Sequence, residues 1–415
     1  MNKLIFVMLL VLLVIAAIPY GTVEPWWKAA FVCAVFAISI LAIIDRLAID
    51  GTPVLLPMLA LSVLAFVQTL SFGSQQVAGI AVWNTISADP FQTRFFALQM
   101  LALSAWLALL YRYVTSERRI RVLVYTIIAI AVVSAVFGIL RQATQHQTGF
   151  VLPLLRQNQG YGQFVNKNHF AYLMEMAFGL GIGMAIASRA KRERLLIYVA
   201  LLLPIWTALV LSNSRGGILA MLVQIVSAAL LLSSRSLSAL RAVLLVVLVA
   251  GVLLGTFWVG GDRLASNFEN ATRELNPTEA AGVSRNEIWR ATLKMFAAHP
   301  IAGVGLGGYW IGITAYHDAS GLMTPQEAHN DYLELLSSGG LIGFAIGVWF
   351  AVLVIREARR NYDGSYVRLG AILGITGVAA HSLVDFGLHI LINAIVLLSL
   401  IVIATRKSTN AYANS

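Results

Sequence analysis

The sequence predicts an all-α polytopic membrane protein with about 12 transmembrane helices. Of the 415 residues, 59% are hydrophobic and only 12% are charged, whereas about a quarter of the residues in an average soluble domain are charged. The apolar residues also come in runs close to the roughly 17–25 residues that a membrane-spanning helix needs. Composition and run length together exclude an ordinary soluble enzyme.

The apolar runs define the predicted organisation. We expect nine spans within residues 1–259, a large loop at 260–330, three spans within 331–404 and a polar cytoplasmic tail at 405–415. The first run follows Lys3 and could be a signal peptide, but no small-residue cleavage site follows it, so we expect a retained anchor. The predicted spans are 4–19, 26–44, 54–72, 91–114, 120–140, 168–187, 195–212, 216–232, 241–259, 331–355, 365–384 and 388–404.

The positive charges predict the orientation. Lysines and arginines gather in alternate loops, and such loops face the cytoplasm, so both termini are expected inside. This pattern accounts for most of the net charge of +10, and we expect no nucleic-acid partner. The predicted inner cations are Arg118, Arg119, Arg121, Arg189, Lys191, Arg192, Arg194, Arg235, Arg241, Arg356, Arg359, Arg360, Arg406 and Lys407.

Two long loops, 141–167 and 260–330, fall on the predicted outer side, which is the periplasmic side of a bacterial inner membrane. They carry cations on the side where the positive-inside pattern leaves few. Cations on this side of the membrane need an explanation. They are Arg141, Arg156, Lys167, Arg263, Arg273, Arg285, Arg290 and Lys294.

Within the longer loop, the segment "SRNEIWRATLKMFAAHP" (284–300) predicts an amphipathic helix over about 284–298. Ser284 and Glu287 have the spacing of a capping box, and Pro300 marks the end. Arg285 then lies in the first turn, where the backbone amides also favour an anion. The alternative is a helix that lies on lipid with its arginines in water.

Two further segments bring polar groups to the outer face. The turn "LSNSRGGILA" (211–220) contains Arg215, which either contacts lipid phosphate or grips a phosphate ligand with both arms of its guanidinium. The segment "GQFVNKNHFAYLMEMAFG" (162–179) offers Lys167, Asn168 and His169 to a sugar or phosphate. Glu175 lies deeper in the same span and needs a partner or a proton.

The segment "EAHNDYLELLSSGGLIG" (327–343) places His329 where the long loop re-enters the membrane. A histidine can accept a proton near neutral pH. We expect Asn330 and Asp331 to orient its ring.

Two other patterns are weaker. His381, Asp385 and His389 have a spacing of four that would suit a metal ion, but Phe386 and Gly387 indicate a turn that breaks the helix, so no metal site is predicted. The run "GVGLGG" (303–308) follows a helix rather than a strand, which argues against a dinucleotide site; it predicts loop geometry or a close approach of backbone to a ligand.

Arg215, Arg285 and His329 therefore meet on one predicted face. Two arginines can neutralise a dianion, and a histidine can move a proton. A polyprenyl diphosphate that carries a glycan is an outer-face dianion with an apolar tail, and it fits this site.

The chain resembles the bacterial O-antigen ligase and O-antigen polymerase superfamily over nearly its whole length, through "FVNKNHFAY", "NSRGG", "SRNEIWRATLKMFAAHPIAGVGLGGY" and "EAHNDYLELLSSGGLIG". The resemblance implies a metal-independent, inverting inner-membrane glycosyltransferase that takes glycan from undecaprenyl diphosphate and needs neither a cofactor nor a nucleotide sugar. It implies that Arg215, Arg285 and His329 are essential. The groups expected to bind diphosphate or glycan are Arg215, Arg285, Arg290, Lys167, Asn168, His169 and Asn330.

The length and the single dominant loop favour an O-antigen ligase, whose acceptor is lipid A–core. A polymerase of O-antigen or exopolysaccharide with the same lipid-linked donor is the alternative, and the segment "FVNKNHFA" also occurs in relatives with exopolysaccharide or protein acceptors. A transporter or flippase of the lipid-linked glycan is less consistent with the sequence, because such proteins usually show inverted repeats and polar sites near the midplane. Here the polar residues gather at one interface.

Overall fold

The computed structural model describes residues 1–45, 53–77, 80–144, 155, 160–187, 192–233, 285–317 and 324–407, and these are mostly helical. The long helices are α1 (Asn2–Ala17), α2 (Pro25–Ile44), α3 (Leu55–Gln68), α4 (Pro90–Tyr113), α5 (Glu117–Thr144), α6 (Lys167–Ala187), α7 (Arg192–Leu211), α8 (Arg215–Ser233), α9 (Arg285–Ala298), α10 (Asp331–Arg360), α11 (Tyr366–His381) and α12 (Leu391–Thr405).

Six of the described helices, α2, α4, α5, α6, α7 and α10, are long and apolar enough to cross a membrane. Helices α1, α3, α8, α11 and α12 are apolar but shorter. The predicted helical membrane fold is confirmed at this level, whereas the count of twelve spans stays a prediction. The predicted ninth span (241–259), loop residues 260–284 and 318–323, and tail residues 408–415 lie outside the described ranges.

Helix α6 lies at the centre of the bundle, and 94% of its most apolar 18-residue stretch is buried. Glycines let it approach α11 backbone to backbone, as small residues do between membrane helices. A Cβ at Gly179 would lie 2.5 Å from the backbone nitrogen of Gly374, and one at Gly183 would lie 2.3 Å from the Tyr366 carbonyl oxygen. This close approach fixes α6 and α11 relative to each other.

The third predicted span, 54–72, is too long. Helix α3 ends at Gln68, and an antiparallel hairpin of β1 (Ser71–Val77) and β2 (Ile80–Thr85) follows it. Only Ser71 and Phe72 of the hairpin lie within the predicted span, and the rest lies in the connection that follows, where hydropathy does not report strands.

The run "GVGLGG" lies against an interruption in α10. Gly340 has a φ of +62°, and the backbone around it pairs with the run instead of with its own helix. The Val304 amide donates to the Ser337 carbonyl at 3.1 Å, and the Gly305 amide donates to the Ser338 carbonyl at 2.9 Å. The close backbone approach predicted for this run is therefore to another part of the chain.

Gln68 joins the end of α3 to this contact between the glycine run and α10. Its buried Nε2 donates to the carbonyl oxygens of Ala302 at 2.7 Å and Ser338 at 2.9 Å, and its Oε1 accepts from the Leu306 amide at 3.0 Å. One amide side chain thus joins α3, the glycine run and α10.

Candidate functional site

Four helix ends meet around one cleft, which we call the cationic cleft. Helices α6, α8 and α9 begin there with Lys167, Arg215 and Arg285, and α11 ends there with His381. The cleft has a volume of about 60 Å³. Its lining residues are Lys167, Asn168, Asn213, Arg215, Gly216, Arg285, His381, Val384 and Asp385.

The cationic cleft brings together three of the cations that the sequence places on the outer face. Arg215 is exposed and Arg285 is half-buried, and both occupy the first position of their helices. The amides of a helix N-terminus and the helix dipole attract anions. Three N-termini and three cationic side chains therefore favour an anion at this point.

Hydrogen bonds around Ser214 fix the turn that carries Arg215. Asn213 adopts a left-handed conformation with a φ of +55°. The Ser214 hydroxyl accepts from the Gly217 amide at 3.2 Å, as an N-cap does, and donates to Oδ1 of Asn168 at 2.9 Å. The N-termini of α6 and α8 are thereby tied together.

Helix α9 is held near the turn that contains His329. The Trp289 indole Nε1 donates to the carbonyl oxygen of Ala328 at 3.0 Å, and Oε2 of Glu334 accepts from the Ala328 amide at 2.9 Å. These bonds fix the helix that carries Arg285 relative to His329.

His329 has a φ of +50°, which only a minority of non-glycine residues adopt. Its Nδ1 lies 3.3 Å from Oδ1 of Asp385, and its ring meets the Phe386 ring edge to face at 4.8 Å. The Asp385 side chain is 1% exposed and also lines the cationic cleft. His329 thus reaches the cleft wall through Asp385.

Burial alone would raise the pKa of Asp385, but the hydrogen bond from His329 and the charges of His169 and His381 outweigh burial and lower the pKa below its usual value. Asp385 is therefore a carboxylate near neutral pH. A carboxylate at Nδ1 holds the proton of a neutral imidazole on that nitrogen and leaves Nε2 of His329 as the acceptor.

Asn330 and Asp331 do not orient the His329 ring as expected. Asn330 caps α10: its Oδ1 accepts from the amides of Tyr332 and Leu333 at 3.0 Å, and its Nδ2 donates to the Leu383 carbonyl at 2.9 Å. Asp331 pairs with His389 at 3.7 Å. Because its amide is used in this way, Asn330 fastens α10 to the turn after α11 and does not line the cleft.

His169 and Arg290 are also not among the residues that line the cationic cleft. The His169 side chain is buried against Phe386, with their rings 4.9 Å apart. Arg290 is exposed on α9, and its position five residues after Arg285 turns it to another side of the helix.

His381, Asp385 and His389 do not converge. Each has its own partner: His381 pairs with Glu175 at 2.8 Å, Asp385 with His329 at 3.3 Å and His389 with Glu334 at 3.3 Å. Within the described ranges, no group of three or more His, Cys, Asp or Glu side chains is placed to hold a metal ion. Glu175 has the partner that its depth in the bundle requires.

Residues 197–348 match the family model described as O-antigen ligase, and no curated protein matches the chain. The matched region contains Arg215, Arg285 and His329, and such a family indicates a ligase- or polymerase-type glycosyltransferase. Residues 197–348 are thus similar to the O-antigen ligase family, which supports the resemblance seen in the sequence.

Proposed function

We propose that the protein is an inner-membrane glycosyltransferase of lipopolysaccharide biosynthesis. It transfers O-antigen glycan from undecaprenyl diphosphate to lipid A–core at the periplasmic face. The observation that carries this proposal is that Arg215 and Arg285 line one cleft with Asp385, the partner of His329. The family match supports the same class of reaction.

In this proposal the diphosphate of the donor occupies the cationic cleft while its prenyl chain remains among the membrane lipids. Arginine suits this task because its planar guanidinium donates two parallel hydrogen bonds to phosphate oxygens. Lys167 adds a third positive charge. Since these side chains supply the positive charge, we expect the reaction to need no metal ion, cofactor or nucleotide sugar.

The reaction is a single displacement at the anomeric carbon of the donor sugar. A hydroxyl of the acceptor attacks this carbon, and Nε2 of His329 takes the hydroxyl proton. Asp385 stabilises the imidazolium that forms. The bond from the anomeric carbon to the diphosphate oxygen breaks, the diphosphate leaves with the electron pair between Arg215 and Arg285, and the configuration inverts.

A polymerase would use the same donor with another glycan repeat as the acceptor, so the acceptor separates the two activities. The test is the gel profile of lipopolysaccharide from a strain that lacks the gene. Loss of all O-antigen capping, with polymer retained on the carrier lipid, is the result we expect for a ligase. Capping by single repeats would instead identify a polymerase, and an unchanged profile would contradict both.

A further inference from the structure

A second histidine–carboxylate pair lies behind the cationic cleft. His381 and Glu175 are fully buried, and Nδ1 of His381 lies 2.8 Å from Oε2 of Glu175. The imidazole also stacks on the Tyr172 ring, with centroids 4.0 Å apart and planes 16° apart. Its position is therefore fixed through Nδ1 and through one face, while Nε2 takes no part in either contact.

The Nε2 edge of His381 lies where the cleft meets α8. His381 and Gly216 both line the cationic cleft, and a Cβ at Gly216 would lie 2.3 Å from Nε2. Nε2 is buried and makes no hydrogen bond to any residue that the structure describes. Buried polar atoms without a partner are uncommon and need an explanation. A ligand in the cleft would provide one.

The protonation of the pair follows from its burial. A net negative charge fully removed from water is strongly unfavourable, so the pair favours two protons and overall neutrality. The inner proton lies between Nδ1 and Oε2, on either atom. In both arrangements the second proton is on Nε2 of His381, which therefore presents an N–H donor.

We propose that Nε2 of His381 donates a hydrogen bond to a phosphate oxygen of the lipid diphosphate donor, and that Glu175 is the residue that positions it. This inference rests on the proposed function. It adds a donor from an overall neutral pair to the three cations of the cleft. It also gives Gly216 a specific role, because any larger residue would cover Nε2.

The test is calorimetric binding of farnesyl diphosphate to the purified full-length protein in detergent. The His381→Phe variant keeps an aromatic ring on Tyr172 but loses both nitrogens, and we expect its affinity to fall by about tenfold to a hundredfold, as for a lost hydrogen bond to a charged group. His381→Gln keeps an amide near the position of Nε2 and should retain more affinity than His381→Phe. Thr376→Val is the control on α11, since among the described residues the Thr376 hydroxyl bonds only to the Leu373 carbonyl of its own helix.

Wild-type affinity in His381→Phe, or equal losses in His381→Phe and His381→Gln, would overturn the inference. Gly216→Ala offers a second test that changes neither His381 nor Glu175: its Cβ would lie 2.3 Å from Nε2, so it should cover that atom and displace the ring. Unchanged binding in this variant would also overturn the inference. Arg215→Ala separates the two proposals. If Arg215→Ala binds normally, the anion site of the proposed function is wrong; if it binds weakly while His381→Phe binds normally, only the role of His381 is wrong.

Discussion

Nδ1 of His329 lies 3.3 Å from Oδ1 of Asp385, although 56 residues separate them in the chain. If Asp385 sets the tautomer of His329, then Asp385→Asn should remove the base, because an amide donor at Nδ1 moves the ring proton to Nε2. We expect turnover to fall by about 10²-fold or more. Steady-state transfer by the purified variant measures this.

The contact between His329 and Asp385 also predicts that the losses of turnover caused by substituting each residue do not multiply. Once His329→Ala has removed the imidazole, Asp385→Asn has no ring left to orient, so the double variant should be no slower than His329→Ala alone. Losses that multiply would show that Asp385 acts independently of His329.

Arg215 and Arg285 should tolerate neither alanine nor lysine. Alanine removes the charge, and lysine cannot donate two parallel hydrogen bonds to one phosphate, so Arg215→Lys and Arg285→Lys should each recover only a small part of the transfer rate. Lys294→Ala is a matched control, because Lys294 is an exposed cation on the same helix as Arg285. Full activity of both lysine variants would rule out bidentate hydrogen bonds from these arginines to the phosphate.

The turn before His329 predicts a pH effect on stability. Burial, and to a lesser extent the charge of Glu334, raises the pKa of Glu327 above its usual 4.5. The folded protein then keeps a proton that the unfolded chain releases, so the free energy of unfolding falls as the pH rises from 4.5 through the raised pKa. We expect Glu327→Gln to reduce the difference in melting temperature between about pH 5 and about pH 8. An identical difference in the variant and the wild type would show that Glu327 does not cause it.

Gln68 should matter for stability rather than for the reaction. Gln68→Leu removes the bonds that Gln68 makes to the Ala302 carbonyl and the Leu306 amide, and each buried group left unsatisfied costs about 1–3 kcal/mol. The Ser338 carbonyl keeps its bond from the Gly305 amide. Thermal unfolding in detergent should show a clear loss. Ser62→Ala on the same helix is the control, because the Ser62 hydroxyl donates to the Met58 carbonyl of its own helix, its one hydrogen bond in the described part of the chain. Equal melting temperatures for the two variants would contradict the role of Gln68.

Much of the fold could be predicted from the sequence, because hydropathy reports which segments avoid water. The helix α9 followed from a local pattern, and so did the expectation that Arg215 and Arg285 share one face of the protein. The cap formed by Asn330 was also readable, since an asparagine followed by Asp331 and Glu334 is typical of a helix start.

The partner of His329 could not be predicted in this way. Asp385 drew attention only for its spacing from His381 and His389, and spacing along the chain says nothing about a contact with a residue 56 positions away. The pairing of Glu175 with His381 is still more distant in sequence, at 206 positions. Both contacts depend on how the helices pack, which hydropathy does not report.

Transfer by the purified protein tests the central claim most directly. The wild type, Arg215→Ala and Arg285→Ala would each be given undecaprenyl diphosphate-linked O-antigen and lipid A–core in the presence of EDTA. We predict that the wild type forms glycosylated lipid A–core and releases undecaprenyl diphosphate, and that both variants accumulate in the membrane but form no product. A wild type that transfers nothing under these conditions, or arginine variants that transfer at its rate, would contradict the account.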